Sequence, residues 1–192
     1  MRVGIALAAA LVVVVSIPMA VAAVGENTAE AKLALAVADA RFGTAKYVDD
    51  IALAKKDGYV VITRHIPSMG WHFLNPKATG FNPRKPQILV YVKRGASWQL
   101  GAVEWVFPEK PAKAPVPGAR YGSFPAACHY ADGTFAVADT EADCAATSPE
   151  TGAKFGFWHP PLVTLHMWVW YPNPAGLFAG TNPLLKLFDA KA

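Results

Sequence analysis

The run Leu165–Gly176, LHMWVWYPNPAG, constrains this chain more than any other. Read with period two, it puts His166, Trp168 and Trp170 on one face and Leu165, Met167, Val169 and Tyr171 on the other. Both faces are apolar, so the run predicts an interior strand, covered on its two sides and paired along both edges. A single imidazole inside such a strand needs a partner or a purpose. Its counterpart is Thr63–Pro76, TRHIPSMGWHFLNP, which sets His72 between Trp71 and Phe73.

The first two dozen residues do not read as part of the fold. Arg2 supplies a positive start, Val3–Val15 is an unbroken apolar run, and Pro18 precedes the small-x-small pattern Ala20-Val21-Ala22. That is a signal peptide over residues 1–22, leaving 23–192 as one globular domain, exported to a periplasmic or extracellular compartment. The rival reading is a retained anchor, because Val3–Val24 is interrupted only by Ser16 and Pro18. After cleavage no stable membrane anchor remains. Removing Arg2 leaves 17 of the 18 Lys and Arg against 14 Asp and Glu. These charges form no basic stripe, so nucleic acid is excluded as a partner. Cys128 and Cys144 are the only cysteines. In an exported chain they are expected to form one disulfide within an irregular excursion over 121–148, with one strand at Thr134–Val137. A Cys/His metal pair with His129 is the weaker alternative.

Glu26–Phe42 reads as a helix capped by Asn27 or Thr28 and stopped by Gly43, and AKYVDDIALAKK as a second helix ended by Gly58. Strands are expected at Tyr59–Thr63, Trp71–Leu74, Gln87–Lys93, Trp98–Phe107, Phe155–Trp158 and Val163–Tyr171, with Pro108–Gly118 as a surface loop or lid and Pro183–Asp189 as a closing helix or strap. The fold class is therefore α+β: an N-terminal helical hairpin packed on a mostly antiparallel, twisted or barrel-like sheet.

Alternation in Trp98–Phe107 groups Trp98, Leu100, Ala102, Glu104 and Val106, which puts a carboxylate on an apolar face. A carboxylate there must be paired, protonated or bound to a cation. His72, Glu104 and His166 thus arrive from three strands as a donor set for zinc, copper or iron. His65 is the fourth ligand if Ile66–Gly70 folds the chain back; Met69 is a soft donor type for copper, but a single Met near the start of a strand is more often core filling. Asn75, Trp168, Trp170 and Asn173 are expected to surround and orient the set. An open coordination position would support metal-assisted hydrolysis or oxidation. The alternatives are a non-enzymatic binding module, with an aromatic cavity for a small apolar or sugar ligand, and an envelope protein whose histidines are merely satisfied core residues. No nucleophile elbow and no phosphate-binding glycine loop occurs.

The segments GTAKYVDDIALAKKDGY, MGWHFLNP, PQILVYVKRG with LGAVEWVFP, and LHMWVWYPNPAGLFAGTNP together resemble an uncharacterised group of exported proteins. That group carries M-G-x-H-aromatic-x-N-P and H-x-W-x-W-x-x-N-P-A-G-x-F motifs. The resemblance covers about Gly43–Phe107 and His166–Pro183. It implies no named activity, but it sets His72, Glu104 and His166 inside the shared motifs.

Overall fold

A computed structural model describes residues 28–189. The leader and its rival reading as an anchor lie outside the described residues. Helix α1 (Ala29–Thr44) begins at Thr28, whose side chain accepts a hydrogen bond from the Ala31 amide. It does not stop at Gly43. The expected breaker lies inside the helix, where a Cβ would stand 2.1 Å from the Arg84 carbonyl oxygen. Gly43 therefore serves close approach between helix and loop, not termination. The expected second helix is also shorter than its pattern. A single 3-10 turn, Ala45–Tyr47, is followed by α2 (Ile51–Lys56), whose start is capped by Asp50 accepting from the Leu53 amide. Asp50, which the sequence pattern placed inside the second helix, is thus its cap.

Among the described residues nine strands follow, all paired antiparallel. β1 (Val60–Ile66), β2 (Gly70–Leu74), β3 (Ile88–Arg94) and β4 (Ser97–Phe107) form a meander. β9 (Leu162–Met167) pairs with β4, and β5 (Gly122–Phe124) pairs with the far edge of β9. The resulting six-stranded sheet curls into a half-barrel. A second sheet, in the order β7 (Phe135–Val137), β6 (Ala127–Tyr130) and β8 (Phe155–His159), replaces much of the expected irregular excursion. β7 and β8 fall at the expected strands Thr134–Val137 and Phe155–Trp158, and the unexpected member is β6, whose four residues are too few to register as period two. The Cys128–Cys144 disulfide ties β6 to the segment after β7.

The main sheet buries both faces. Phe73, Leu89, Tyr91, Val103, Trp105, Leu165 and Met167 pack toward Ala36, Ala40, Tyr47 and Ala54 of the helical segment. Ile62, Ile88, Val90, Ala102 and Trp168 belong to the core on the opposite side. Alternation fails at one point in β4. The register steps from Val90 opposite Ala102 to Tyr91 opposite Leu100, so Gly101 is an extra residue. This bulge moves Trp98 and Leu100 to the helical side, away from Ala102, Glu104 and Val106 with which the sequence grouped them. The Gly101 carbonyl accepts from the amides of both Trp170 and Tyr171. That contact also ends the last strand four residues early and turns Trp170 to the helical side. There its Nε1 donates to Thr44 Oγ1 and its ring lies beneath the Arg41 guanidinium.

The small sheet is fastened to β1. The Arg64 amide donates to the Gly133 carbonyl, the Arg64 side chain pairs with Asp132, and His129 Nδ1 bonds the Ile62 carbonyl. Pro108–Gly118 carries no helix or strand, but buried Val116 anchors it to the core beside Ala119. Pro183–Leu185 is a 3-10 turn that runs into α3 (Lys186–Asp189). Among the described residues no helix is long and apolar enough to cross a membrane.

Candidate functional site

A cavity of about 470 Å³ lies on the concave face of the half-barrel, with the small sheet as part of its wall. Its surface is mostly aliphatic and aromatic, including Ile62, Leu74, Ile88, Val106, Leu162 and Phe157. Into this apolar space the fold brings His72, Glu104 and His166.

Their convergence follows from register. Glu104 and His166 are directly opposed across β4 and β9. His72 lies on β2, opposite Val90 of β3, while Glu104 is opposite Ile88 of the same strand. β2 and β4 are next-but-one neighbours, separated by about 9.5 Å in a flat sheet. Here His72 Nε2 and Glu104 Oε2 stand 3.6 Å apart, because the side chains lean together over β3 on the concave side. The rings of His72 and His166 have centroids 6.5 Å apart.

All three groups are buried. The 3.6 Å approach would suit an ion pair, but desolvation drives both partners toward their neutral forms. Burial pushes the Glu104 carboxyl up to about 7, partly offset by a hydrogen bond from the Thr164 side chain. Burial lowers His72 to about 4 and His166 to about 3. Between those limits the trio is two neutral imidazoles and a protonated carboxyl. His72 is oriented by its Nδ1 contact with Thr63 Oγ1 at 2.7 Å. His166 is different, since neither of its ring nitrogens has a hydrogen-bond partner. Its ring rests against Trp168, with centroids 4.9 Å apart. Tyr121 also lines the cavity and buries an unpartnered hydroxyl.

The remaining sequence candidates divide. Met69 lines the cavity, whereas His65 does not. The turn at Ile66–Gly70 does fold the chain back, but Thr63 rather than His65 is opposite His72. Trp168 touches His166, while Trp170 has left for the helical side. Asn75 and Asn173 hold turns: Asn75 bonds the Asp57 carbonyl and the Lys77 amide, and Asn173 the Thr181 carbonyl and the Ala175 amide. Neither lines the cavity. Among the described residues, no group of three or more His, Cys, Asp or Glu side chains is arranged to hold a metal ion.

Sequence reasoning weighed His129 only as the partner of a cysteine and passed over His159, yet both face the same cavity from the small sheet. Their Nε2 atoms are 3.0 Å apart. His129 is almost fully buried, stacked 4.8 Å from Phe157 with Phe124 and Phe135 close by. Register explains the meeting: Ala127 is opposite His159 and His129 opposite Phe157, so the two imidazoles are diagonal neighbours. The signal was present in the alternation of CHY and FWH, but each run is too short to stand out. Comparison with protein-family models, with curated proteins and with solved structures returns no match.

Proposed function

We propose that this is an exported binding protein whose half-barrel cavity takes a small, mostly apolar molecule bearing one or two hydrogen-bonding groups. The observation that carries this reading is the cavity itself: about 470 Å³, apolar in most of its wall, and lined in part by His166, whose buried ring nitrogens have no partner. That volume lies within the ordinary range for small-molecule sites. A buried donor or acceptor without a partner is costly, so a ligand polar group meeting His166 gains affinity beyond apolar burial. Neutral His166 offers one donor and one acceptor, and protonated Glu104 adds a second donor. The site thus favours hydroxyl, carbonyl or amide groups over ionised ones. Export is supported by the apolar leader, its small-residue pattern and the Cys128–Cys144 disulfide.

The test is binding of the apolar dye N-phenyl-1-naphthylamine, followed by displacement with medium-chain alcohols and with alkanes of equal length. Saturable binding, alcohols displacing better than alkanes, and loss of binding in Val106→Trp, which fills the cavity, are expected. Dye binding that survives Val106→Trp unchanged refutes the cavity reading.

A second reading keeps a transition metal on His72, Glu104 and His166. Its support is the 3.6 Å separation of His72 Nε2 and Glu104 Oε2, inside the roughly 4.2 Å that two ligand bonds to one ion can bridge. An ion there must displace the proton that burial favours on the Glu104 carboxyl, which places this reading second.

A further inference from the structure

The strongest unassigned chemistry is the pair formed by His129 and His159. His129 Nδ1 lies 2.7 Å from the Ile62 carbonyl oxygen, and His159 Nδ1 lies 2.6 Å from that of Pro160. A carbonyl oxygen only accepts, so each Nδ1 must carry the hydrogen. In the neutral ring that leaves each Nε2 as a bare lone pair. Burial holds His129 near 4, well below the ordinary imidazole range, so its ring is neutral around pH 7. The two Nε2 atoms nevertheless face each other at 3.0 Å. Two such nitrogens approach to this distance only with a cation, a proton or a metal ion, between or in front of them.

We propose that His129 and His159 form a two-histidine site for a divalent transition ion in the cavity wall. Both imidazoles share two features of metal ligands, an Nδ1–H held by a backbone carbonyl and an Nε2 within 3.0 Å of the other ring's Nε2. An ion about 2.05 Å from each Nε2 subtends an N–metal–N angle of about 95° across 3.0 Å. Such an angle suits neighbouring positions of a tetragonal ion better than a tetrahedral one, which favours Cu²⁺ or Ni²⁺ over Zn²⁺. The order of affinities for nitrogen ligands points the same way, with Cu²⁺ tightest. The protein supplies two ligands and the other positions open into the cavity, where water or a donor atom of a bound molecule completes the shell. The proposal is independent of the apolar-ligand reading, because it rests on the small sheet and not on Glu104 or His166.

The experiment is titration of the intact exported chain with Cu²⁺ at pH 7, read by equilibrium dialysis and by the electron paramagnetic resonance spectrum of the bound ion. One tight equivalent with nitrogen hyperfine structure from two imidazoles is expected. His159→Ala and the gentler His159→Gln, at a half-buried position, are each expected to weaken binding at least about 100-fold, the upper effect of losing a ligand-side group. Both variants are first checked for wild-type circular dichroism. Glu104→Gln is expected to leave the affinity within about twofold, whereas the second reading above requires it to fall. The proposal is overturned if the chain takes up no tight equivalent, if binding survives both His159 variants, or if nitrogen NMR finds a proton shared between the two Nε2 atoms in the presence of excess Cu²⁺.

Discussion

A buried imidazole with two unbonded nitrogens costs the folded state about 1–3 kcal/mol, because water satisfied those atoms in the unfolded chain. His166 is such a residue. Replacing it by Leu is therefore expected to raise stability by about 1 kcal/mol in chemical denaturation while weakening binding of hydroxyl-bearing ligands; a large loss of stability would mean that the imidazole is satisfied within the fold. Glu104 gives the companion prediction. Its folded pKa is raised from 4.5 to about 7, so the folded state holds the proton more tightly than the unfolded state. The stability it contributes is present below about 4.5 and is lost as pH climbs through 7. Glu104→Gln keeps the shape without the ionisation, and it is expected to exceed wild type by about 2–3 kcal/mol at pH 8 and to match it at pH 4. His72 and His166 act on the other side. Their lowered pKa values mean that stability is present above about 6.5 and is lost as pH falls toward 4 and 3. These three residues were legible in the sequence because each interrupts a long apolar alternation, and one polar residue in such a run is conspicuous. The meeting of His129 with His159 was not, since each ends or nearly ends a strand of four or five residues.

At the scale of elements, the two glycines that redirect the chain do so through contact, and contact is what local patterns omit. Gly43 reads as a helix terminator in sequence, yet it is a helical residue pressed against the backbone of Arg84. An exposed Gly→Ala change inside a helix ordinarily gains up to about 1 kcal/mol from propensity. Gly43→Ala is expected to do the reverse, costing about 2–3 kcal/mol, because the new Cβ meets backbone that cannot step aside. Thermal unfolding decides between the two signs. Gly101 similarly shifts half of β4 to the other face. The helices, the four-strand meander and the placing of Glu104 opposite the apolar core were readable from capping residues and period two. The bulge was not, because the evidence for it is a hydrogen bond from Trp170 and Tyr171, about seventy positions further along the chain.

Considered whole, the molecule is a curled sheet whose concave side is closed by a smaller sheet, and the two differ in what holds them. The main sheet has a large apolar core on its helical side, with Trp105, Tyr91, Phe73 and Leu165 all fully enclosed. The small sheet has little core of its own and is joined to β1 chiefly by polar contacts at Arg64, Gly133, Asp132 and Ile62. Its internal staple is the disulfide between Cys128 and Cys144, sixteen positions apart, a loop worth about 3 kcal/mol in the chain-entropy account. The Cys128→Ala, Cys144→Ala double variant should therefore not lose stability evenly. Hydrogen exchange is expected to speed up across 127–159, while protection in β2, β3 and β4 stays near that of the wild type. Since His129 and His159 ride on the loosened sheet, Cu²⁺ affinity should fall with it, and so should retention of the cavity dye. Exchange that rises equally in β3 would show instead that both sheets open as one cooperative unit, in which case the small sheet is a structural part of the barrel and not a separately weighted wall over its site.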